Sequence, residues 1–138
     1  MWDYKSGSTY QFDRGGVLAC GTKIQHAIYA RAFAAMLTRK GLSGRVTRSG
    51  YLFPTSRGGG ARLRRECSDR ELKEALNSLF DVVARGFFPH GDVDACKFCD
   101  FHSVCCGAKI AAERMEKKFA KNSNDAAVQA WLKLQEIR

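Results

Sequence analysis

The sequence lacks any apolar run of the roughly 20 residues that a bilayer crossing requires. It also lacks a signal region, because the chain opens with Trp2, Asp3, Tyr4 and Lys5 instead of a basic and then apolar stretch. Internal repeats and low-complexity tracts are missing as well. These absences argue against a membrane partner and predict a soluble, cytoplasmic protein, and the 138 residues suffice for one modest domain.

Acidic residues are scarce, since 14 Asp and Glu stand against 23 Lys and Arg and give a formal net charge of +9. This surplus favours a polyanion such as nucleic acid over an acidic small metabolite. Basic residues gather in and around a predicted hairpin, where contacts to phosphate would give salt-sensitive, sequence-tolerant binding. The candidate nucleic-acid-binding residues are Arg57, Arg62, Arg64 and Arg65. The alternative is a solvated basic surface.

Six cysteines are present, and Cys96, Cys99 and Cys105 follow C-x2-C-x5-C spacing. Without a signal peptide, a reducing compartment is expected, where clustered thiols indicate a metal site instead of disulfides. Thiolates at this spacing can close on one metal centre. The residues leave two centres open, an iron–sulfur cluster and a zinc site with His90 or His102 as the fourth ligand.

Turn residues and hydrophobic periodicity predict an α/β or α+β fold, with a small mixed sheet flanked by helices. An opening strand around Asp3 is followed by a hairpin whose strands lie within residues 43–54 and 61–66. Helices are predicted over residues 22–39, from a Ser68/Glu71 capping box to Gly86, over 108–121 and over 124–138. The segment with the three late cysteines is predicted to be a loop.

Asp3 and Lys5 carry the first candidate chemistry. Strand alternation puts residues i and i+2 on one face, so it aims this carboxylate and this ammonium together. A carboxylate can hold a divalent metal ion, and a lysine can position or deprotonate water or stabilise the charge that builds on a phosphate during hydrolysis. The tripeptide alone is also compatible with an ordinary surface strand, so the wider context has to decide.

Three motifs supply that context by their order along the chain. D-Y-K-S-G occupies residues 3–7, G-T-K-I-Q-H-A-I-Y occupies residues 21–29, and G-F-F-P at residues 86–89 leads into the three late cysteines. Together they resemble the RecB-like, AddB-type nucleases, a branch of the PD-(D/E)XK superfamily with a restriction-endonuclease-like core. The resemblance covers about residues 2–106. It implies Mg²⁺- or Mn²⁺-dependent, exonuclease-like hydrolysis of DNA in repair or recombination, with a helicase or nuclease partner subunit.

The resemblance also implies roles for individual residues. Asp3 is expected to ligate the metal ion, and Lys5 is expected to be the catalytic lysine. Gln25 and Tyr29 match a Q-x-x-x-Y motif that faces the active site, which agrees with positions i and i+4 sharing a helix face. In these nucleases, three late cysteines and one early cysteine hold a [4Fe–4S] cluster, so Cys96, Cys99 and Cys105 are expected to bind it.

Parts of the family pattern are not found. An early cysteine ligand, a further metal-binding acid and a histidine usually precede the D-x-K strand, and Cys20, Cys67 and Cys106 do not occupy the early cysteine position. We therefore expect an N-terminally truncated nuclease domain over residues 1–107 and a helical tail over 108–138. The isolated chain is expected to bind metal poorly and to be inactive without an upstream domain. A non-catalytic, metal-stapled basic module that binds nucleic acid is the competing hypothesis.

Overall fold

The structure is a computed structural model that describes residues 1–13, 16–89, 96, 99–101, 104–105 and 107–137. The chain divides into two compact units, one formed by Met1–Asn77 with Leu134–Arg138 and the other by Ser78–Lys133. Within the described residues, no helix is both long enough and apolar enough to cross a membrane.

The first unit contains a three-stranded mixed sheet in the order β1-β2-β3. Strand β1 (Trp2–Tyr4) pairs in parallel with β2 (Gly50–Leu52), which pairs in antiparallel fashion with β3 (Arg62–Arg64). The predicted hairpin is therefore present, and the predicted fold class, a small mixed sheet flanked by helices, is confirmed. The parallel register places Asp3 opposite Tyr51.

The strands are shorter than the sequence predicts, because regular pairing begins only at Gly50. A Cβ at this glycine would lie 2.1 Å from the carbonyl oxygen of Leu63 on the paired strand. The two backbones therefore approach each other at a distance that only glycine permits. Residues before Gly50 run outside the ladder, although Arg65 N still bonds Ser49 O at 2.9 Å.

Helix α1 (Gln25–Arg39) begins three residues later than the sequence predicts. The reason is a short 3₁₀ turn at Ala19–Gly21, which Thr22 closes by donating its hydroxyl to Ala19 O at 2.6 Å. The helix ends at Arg39, as predicted, and Gly41 shortly after it has a φ of +65°, the left-handed conformation of a glycine that caps a helix. The inner face of α1 buries His26, Ala27 and Ala30.

The core of the first unit joins α1 to the start of the next helix. Leu18, Ala27, Leu72 and Ala75 form one buried cluster, against which Ile137 packs. Burying a large aliphatic side chain contributes about 1.5–3 kcal/mol, so these contacts hold α1 against the start of the next helix.

Three further helices follow the sheet: α2 (Asp69–Ala84), α3 (Ala108–Lys121) and α4 (Ala126–Gln135). The predicted capping box opens α2, with Glu71 N bonding Ser68 Oγ at 3.2 Å and Ser68 N bonding Glu71 Oε2 at 2.7 Å. The main-chain bond in this box lowers the pKa of Glu71. Helix α4 starts two residues after the predicted position, where Asp125 Oδ1 accepts from Ala127 N at 2.7 Å.

Candidate active site

Asp3 and Lys5 meet on one face of the sheet. Lys5 follows the last residue of β1, but its N–H still bonds Leu52 O at 2.9 Å, so strand alternation continues through it. Its Nζ atom lies 2.9 Å from Asp3 Oδ2. The side chains of Lys5 and Asp3 are only 25% and 13% exposed, which makes this a largely desolvated ion pair.

The carboxylate of Asp3 is incompletely satisfied. Lys5 Nζ forms an ion pair with Oδ2, but this contact does not have the geometry of a hydrogen bond, and the buried oxygen has no hydrogen-bond donor among the described residues. A buried carboxylate oxygen without a donor is costly, and a divalent cation is one partner that would satisfy it. The oxygen chemistry of Asp3 therefore fits a hard cation such as Mg²⁺ or Mn²⁺. The described residues contain no group of three or more His, Cys, Asp or Glu that could hold a metal ion.

Gln25 connects the sheet to α1. Its Oε1 atom accepts a hydrogen bond of 2.8 Å from Lys5 Nζ, so the lysine is held between a carboxylate and a carboxamide. Tyr29 lies one turn further along α1 and is 41% exposed. In the described part of the chain, no hydrogen bond or ion pair joins Tyr29 to Asp3 or Lys5. The structure thus brings three of the four predicted catalytic residues together and leaves the tyrosine beside them on the helix.

Two aromatic rings surround the lysine ammonium. Lys5 Nζ lies 5.6 Å from the ring centroid of Tyr51 and 5.7 Å from that of Phe12, and the two rings are 4.5 Å apart. Both distances are within the range of cation–π attraction. Sequence analysis missed both residues. Tyr51 follows from the strand register, but Phe12 lies in a loop and has no local signal.

The side chain of Tyr51 is held in place by residues at and just before the start of α1. Its hydroxyl donates to Lys23 O at 2.9 Å, and Nδ1 of His26 donates to the same oxygen at 2.8 Å. Burial, with the charge of Asp3 as the next cause, raises the pKa of Tyr51 to about 12, so the phenol stays protonated. Burial also lowers the pKa of His26, whose Nε2 atom is buried without a partner among the described residues. The imidazole is therefore a neutral support for the tyrosine.

Arg65 borders the site next to the loop that contains Phe12. Its Nη2 atom donates to Phe12 O at 2.7 Å and its Nη1 atom donates to Arg64 O at 3.1 Å. The side chain is half-buried and holds the Phe12 loop in place. Among the other predicted nucleic-acid-binding residues, Arg57 and Arg62 are exposed, and Arg64 is exposed but paired with Glu66 at 2.5 Å.

The late cysteines belong to the second unit. Cys96 and Cys105 are half-buried, Cys99 is exposed, and Cys99 N bonds Cys96 O at 3.3 Å. These thiols do not form a three-ligand metal group within the described residues, so the structure does not support the predicted [4Fe–4S] cluster. His90, His102 and Cys106, which were considered as further ligands, lie outside the described residues.

The comparisons with known proteins agree with the first part of this geometry. A family model described as the PD-(D/E)XK nuclease superfamily matches residues 1–106. Searches of the curated proteins and of the solved structures returned no match. The matched range covers well over half of the sequence and includes the sheet, Asp3, Lys5 and Gln25. The chain therefore belongs to the PD-(D/E)XK nuclease superfamily.

Proposed function

We propose that this chain is the nuclease module of a RecB-like, AddB-type DNA repair or recombination protein, which hydrolyses phosphodiester bonds with Mg²⁺ or Mn²⁺. Superfamily membership implies a metal-dependent nuclease that acts on DNA. The single observation that carries the more specific proposal is the position of Lys5 Nζ, 2.9 Å from Asp3 Oδ2 and 2.8 Å from Gln25 Oε1. A strand acid, its neighbouring lysine and a helix carboxamide thus converge at one point.

Asp3 would hold the divalent cation. Its buried Oδ2 atom has an open acceptor position, and Mg²⁺ is often bound by one or two carboxylates together with water and substrate phosphate. When bound, the cation supplies Lewis-acid activation of the phosphate and of the attacking water. A single carboxylate retains such a cation weakly, so occupancy would depend on the DNA phosphate or on a further acid.

Lys5 would stabilise the negative charge that develops on the phosphate or orient the attacking water. Gln25 holds the ammonium by accepting a hydrogen bond from it, which limits the directions in which Lys5 can point. Tyr29 would contact the nucleic-acid strand from the same side of α1, because it is partly exposed one turn beyond Gln25.

The basic surface would supply contacts to the DNA backbone. No Asp or Glu occurs between Asp13 and Glu66, although this segment carries nearly half of the Lys and Arg residues. Arg57, Arg62 and Arg64 reach solvent, so they would meet phosphate oxygens and confer salt-sensitive binding. Arg65 would add charge mainly from its position behind the Phe12 loop.

An iron–sulfur site at Cys96, Cys99 and Cys105 rests on their spacing and on the AddB-type resemblance alone. Iron and acid-labile sulfide in anaerobically purified protein would support it, whereas stoichiometric zinc would support a structural zinc site. We also propose that residues 1–107 form the nuclease domain and 108–138 a helical tail, since the family match ends at residue 106. A helicase or nuclease partner subunit belongs to the same proposal.

A non-catalytic nucleic-acid-binding module is the second candidate. It is favoured by one observation, the absence of a group of three or more metal ligands among the described residues. Such a module would use the same basic surface without cleaving the strand.

Cleavage and binding of labelled single-stranded and duplex oligonucleotides separate the two candidates. The full chain is assayed with millimolar Mn²⁺ or Mg²⁺ and with EDTA, beside Asp3→Asn, Lys5→Met and the control Glu116→Gln, whose exposed carboxylate lies outside the matched range. Metal-dependent cleavage that falls at least about 100-fold in the first two variants and not in the control supports the nuclease. Because the chain alone is expected to be inactive, absence of cleavage does not separate the candidates, and binding in Mn²⁺ and in EDTA is compared instead. Binding that Mn²⁺ strengthens in the wild type but not in Asp3→Asn supports the nuclease, whereas equal binding in Mn²⁺ and EDTA supports the binding module.

A further inference from the structure

The ring of Phe12 has a second ammonium beside it. Lys23 Nζ lies 5.8 Å from the ring centroid, close to the 5.7 Å of Lys5 Nζ. Lys23 precedes Gln25 by two residues within the motif at residues 21–29, but the motif assigns it no role. We propose that Lys23 is a second phosphate-contacting residue, which with Lys5 forms a two-cation seat around Phe12 for neighbouring backbone phosphates of a nucleic-acid strand. This rests on the proposed function, because Lys5 marks the phosphate that reacts.

Phe12 is fixed well enough to order both lysines. Its ring contacts Tyr51 at 4.5 Å and Phe53 at 5.3 Å, and its N–H bonds Thr9 O at 2.7 Å. Arg65 bonds its carbonyl oxygen. An ammonium attracted to a rigid ring loses part of its rotamer freedom before any ligand arrives, so less entropy is lost on binding.

The backbone of Lys23 is equally well held. Its carbonyl oxygen accepts hydrogen bonds from Tyr51 Oη and from Nδ1 of His26, and its N–H bonds Leu18 O at 3.2 Å. These bonds fix the position of the Lys23 backbone beside the site, so adjustment to a ligand is confined to its side chain. Tyr51, which holds this carbonyl, also lies beside Lys5 Nζ, so one tyrosine helps to position both lysines.

The local charges favour an anion beside Lys23. Burial lowers the pKa of this lysine, and the guanidinium of Arg65 lowers it further, while Asp13 acts in the opposite direction. Three cations, Lys5, Lys23 and Arg65, thus share the surroundings of one ring. A phosphate would relieve their mutual repulsion and compensate for the lost hydration of the ammonium. A second metal ion would increase that repulsion.

The test measures binding of the full chain to a fluorescently labelled oligonucleotide by anisotropy, in EDTA and over a series of KCl concentrations. Lys23→Ala should weaken binding about five- to tenfold and reduce the slope of log K against log[salt] by about 0.7 for a single strand or 0.9 for a duplex. Lys23→Arg should retain most of the affinity and the full slope. Lys40→Ala removes the same charge beyond the other end of α1 and should change affinity less than twofold. Phe12→Leu should weaken binding a few-fold, since it leaves both charges but removes their ring.

The inference is overturned if Lys23→Ala matches Lys40→Ala in affinity and slope, or if the wild-type chain shows no salt-dependent binding. Urea unfolding midpoints identify a variant that has lost its fold. If Lys23→Ala is such a variant, Lys23→Arg decides: a retained slope of log K against log[salt] supports the inference, and a lost slope contradicts it. Because EDTA prevents metal-dependent cleavage, the result is independent of catalysis. Salt-dependent binding that is weakened in Lys23→Ala, together with wild-type binding that added Mn²⁺ does not strengthen, would support this inference and contradict the proposed metal-dependent nuclease.

Discussion

Replacing Lys5 by methionine should destabilise the chain by about 2 kcal/mol, because it leaves the Asp3 carboxylate desolvated and unpaired. At 2.9 Å and an effective dielectric constant of about 20, the two charges attract each other by about 6 kcal/mol. Most of this attraction offsets the cost of removing both groups from water. The pair is 25% and 13% exposed, so the loss should lie between about 0–1 kcal/mol for a surface pair and about 3–5 kcal/mol for a buried pair.

Asp3→Asn should be much less harmful, with a change within about 1 kcal/mol, because the remaining ammonium keeps Gln25, two aromatic rings and some solvent. The double variant Asp3→Asn/Lys5→Met should cost less than the sum of the single variants, by about 1–2 kcal/mol. Added Mg²⁺ should raise the unfolding midpoint of Lys5→Met more than that of the wild type, since the unpaired carboxylate is then the stronger cation ligand.

These free energies can be measured by urea unfolding, followed through the fluorescence of Trp2 next to Asp3, in a Trp131→Phe background. Lys40→Met is the matched control, because Lys40 is exposed and carries the same charge. The reasoning is refuted if Lys5→Met costs no more than Lys40→Met, or if Asp3→Asn costs as much as Lys5→Met.

The remaining predictions concern the scaffold. Gly50→Ala should cost about 3 kcal/mol or more in urea unfolding, because its Cβ would lie 2.1 Å from Leu63 O, whereas Gly7→Ala, with nothing within 4 Å, should be neutral. Ser68→Ala should cost about 1 kcal/mol and reduce helical circular dichroism, since it removes the cap of α2. The His26 contribution to stability should be fully present above pH 6.5 and be lost as the pH falls towards its lowered folded-state pKa, because only the unfolded chain readily takes up the proton. His26→Gln should flatten this part of the stability–pH curve, and an unchanged curve would contradict the assignment.

Local patterns predicted most of the elements. The capping box at Ser68 and Glu71 and the glycine cap at Gly41 are determined by neighbouring residues, so α2 and the end of α1 were predicted correctly. Boundaries set by tertiary contacts were less accurate. The start of β2 depends on the close approach of Gly50 to the neighbouring strand, and the start of α1 depends on the 3₁₀ turn before it.

In the candidate site, too, positions determined by local sequence were predicted and positions determined by tertiary contacts were not. The shared face of Asp3 and Lys5 follows from strand alternation over three residues, and the position of Gln25 was predicted only through the family resemblance. Nothing in the sequence indicates that Phe12 lies beside Lys5, since this contact requires a loop to fold back and a distant arginine to hold it. The position of Tyr51 depends on a register that was not predicted.

The contacts that the sequence did not predict determine how Lys5 is presented. Asp3 and Gln25 provide its polar partners, but a lysine has four rotatable bonds and two partners alone leave it several arrangements. The rings of Phe12 and Tyr51 lie beside the ammonium and reduce the number of arrangements open to it. The carbonyl oxygen of Lys23, which also binds His26, holds Tyr51 in place. In the proposed mechanism a reacting phosphate meets the ammonium at one defined point, so the precision of this site should depend on the buried aromatic support as much as on Asp3 and Gln25.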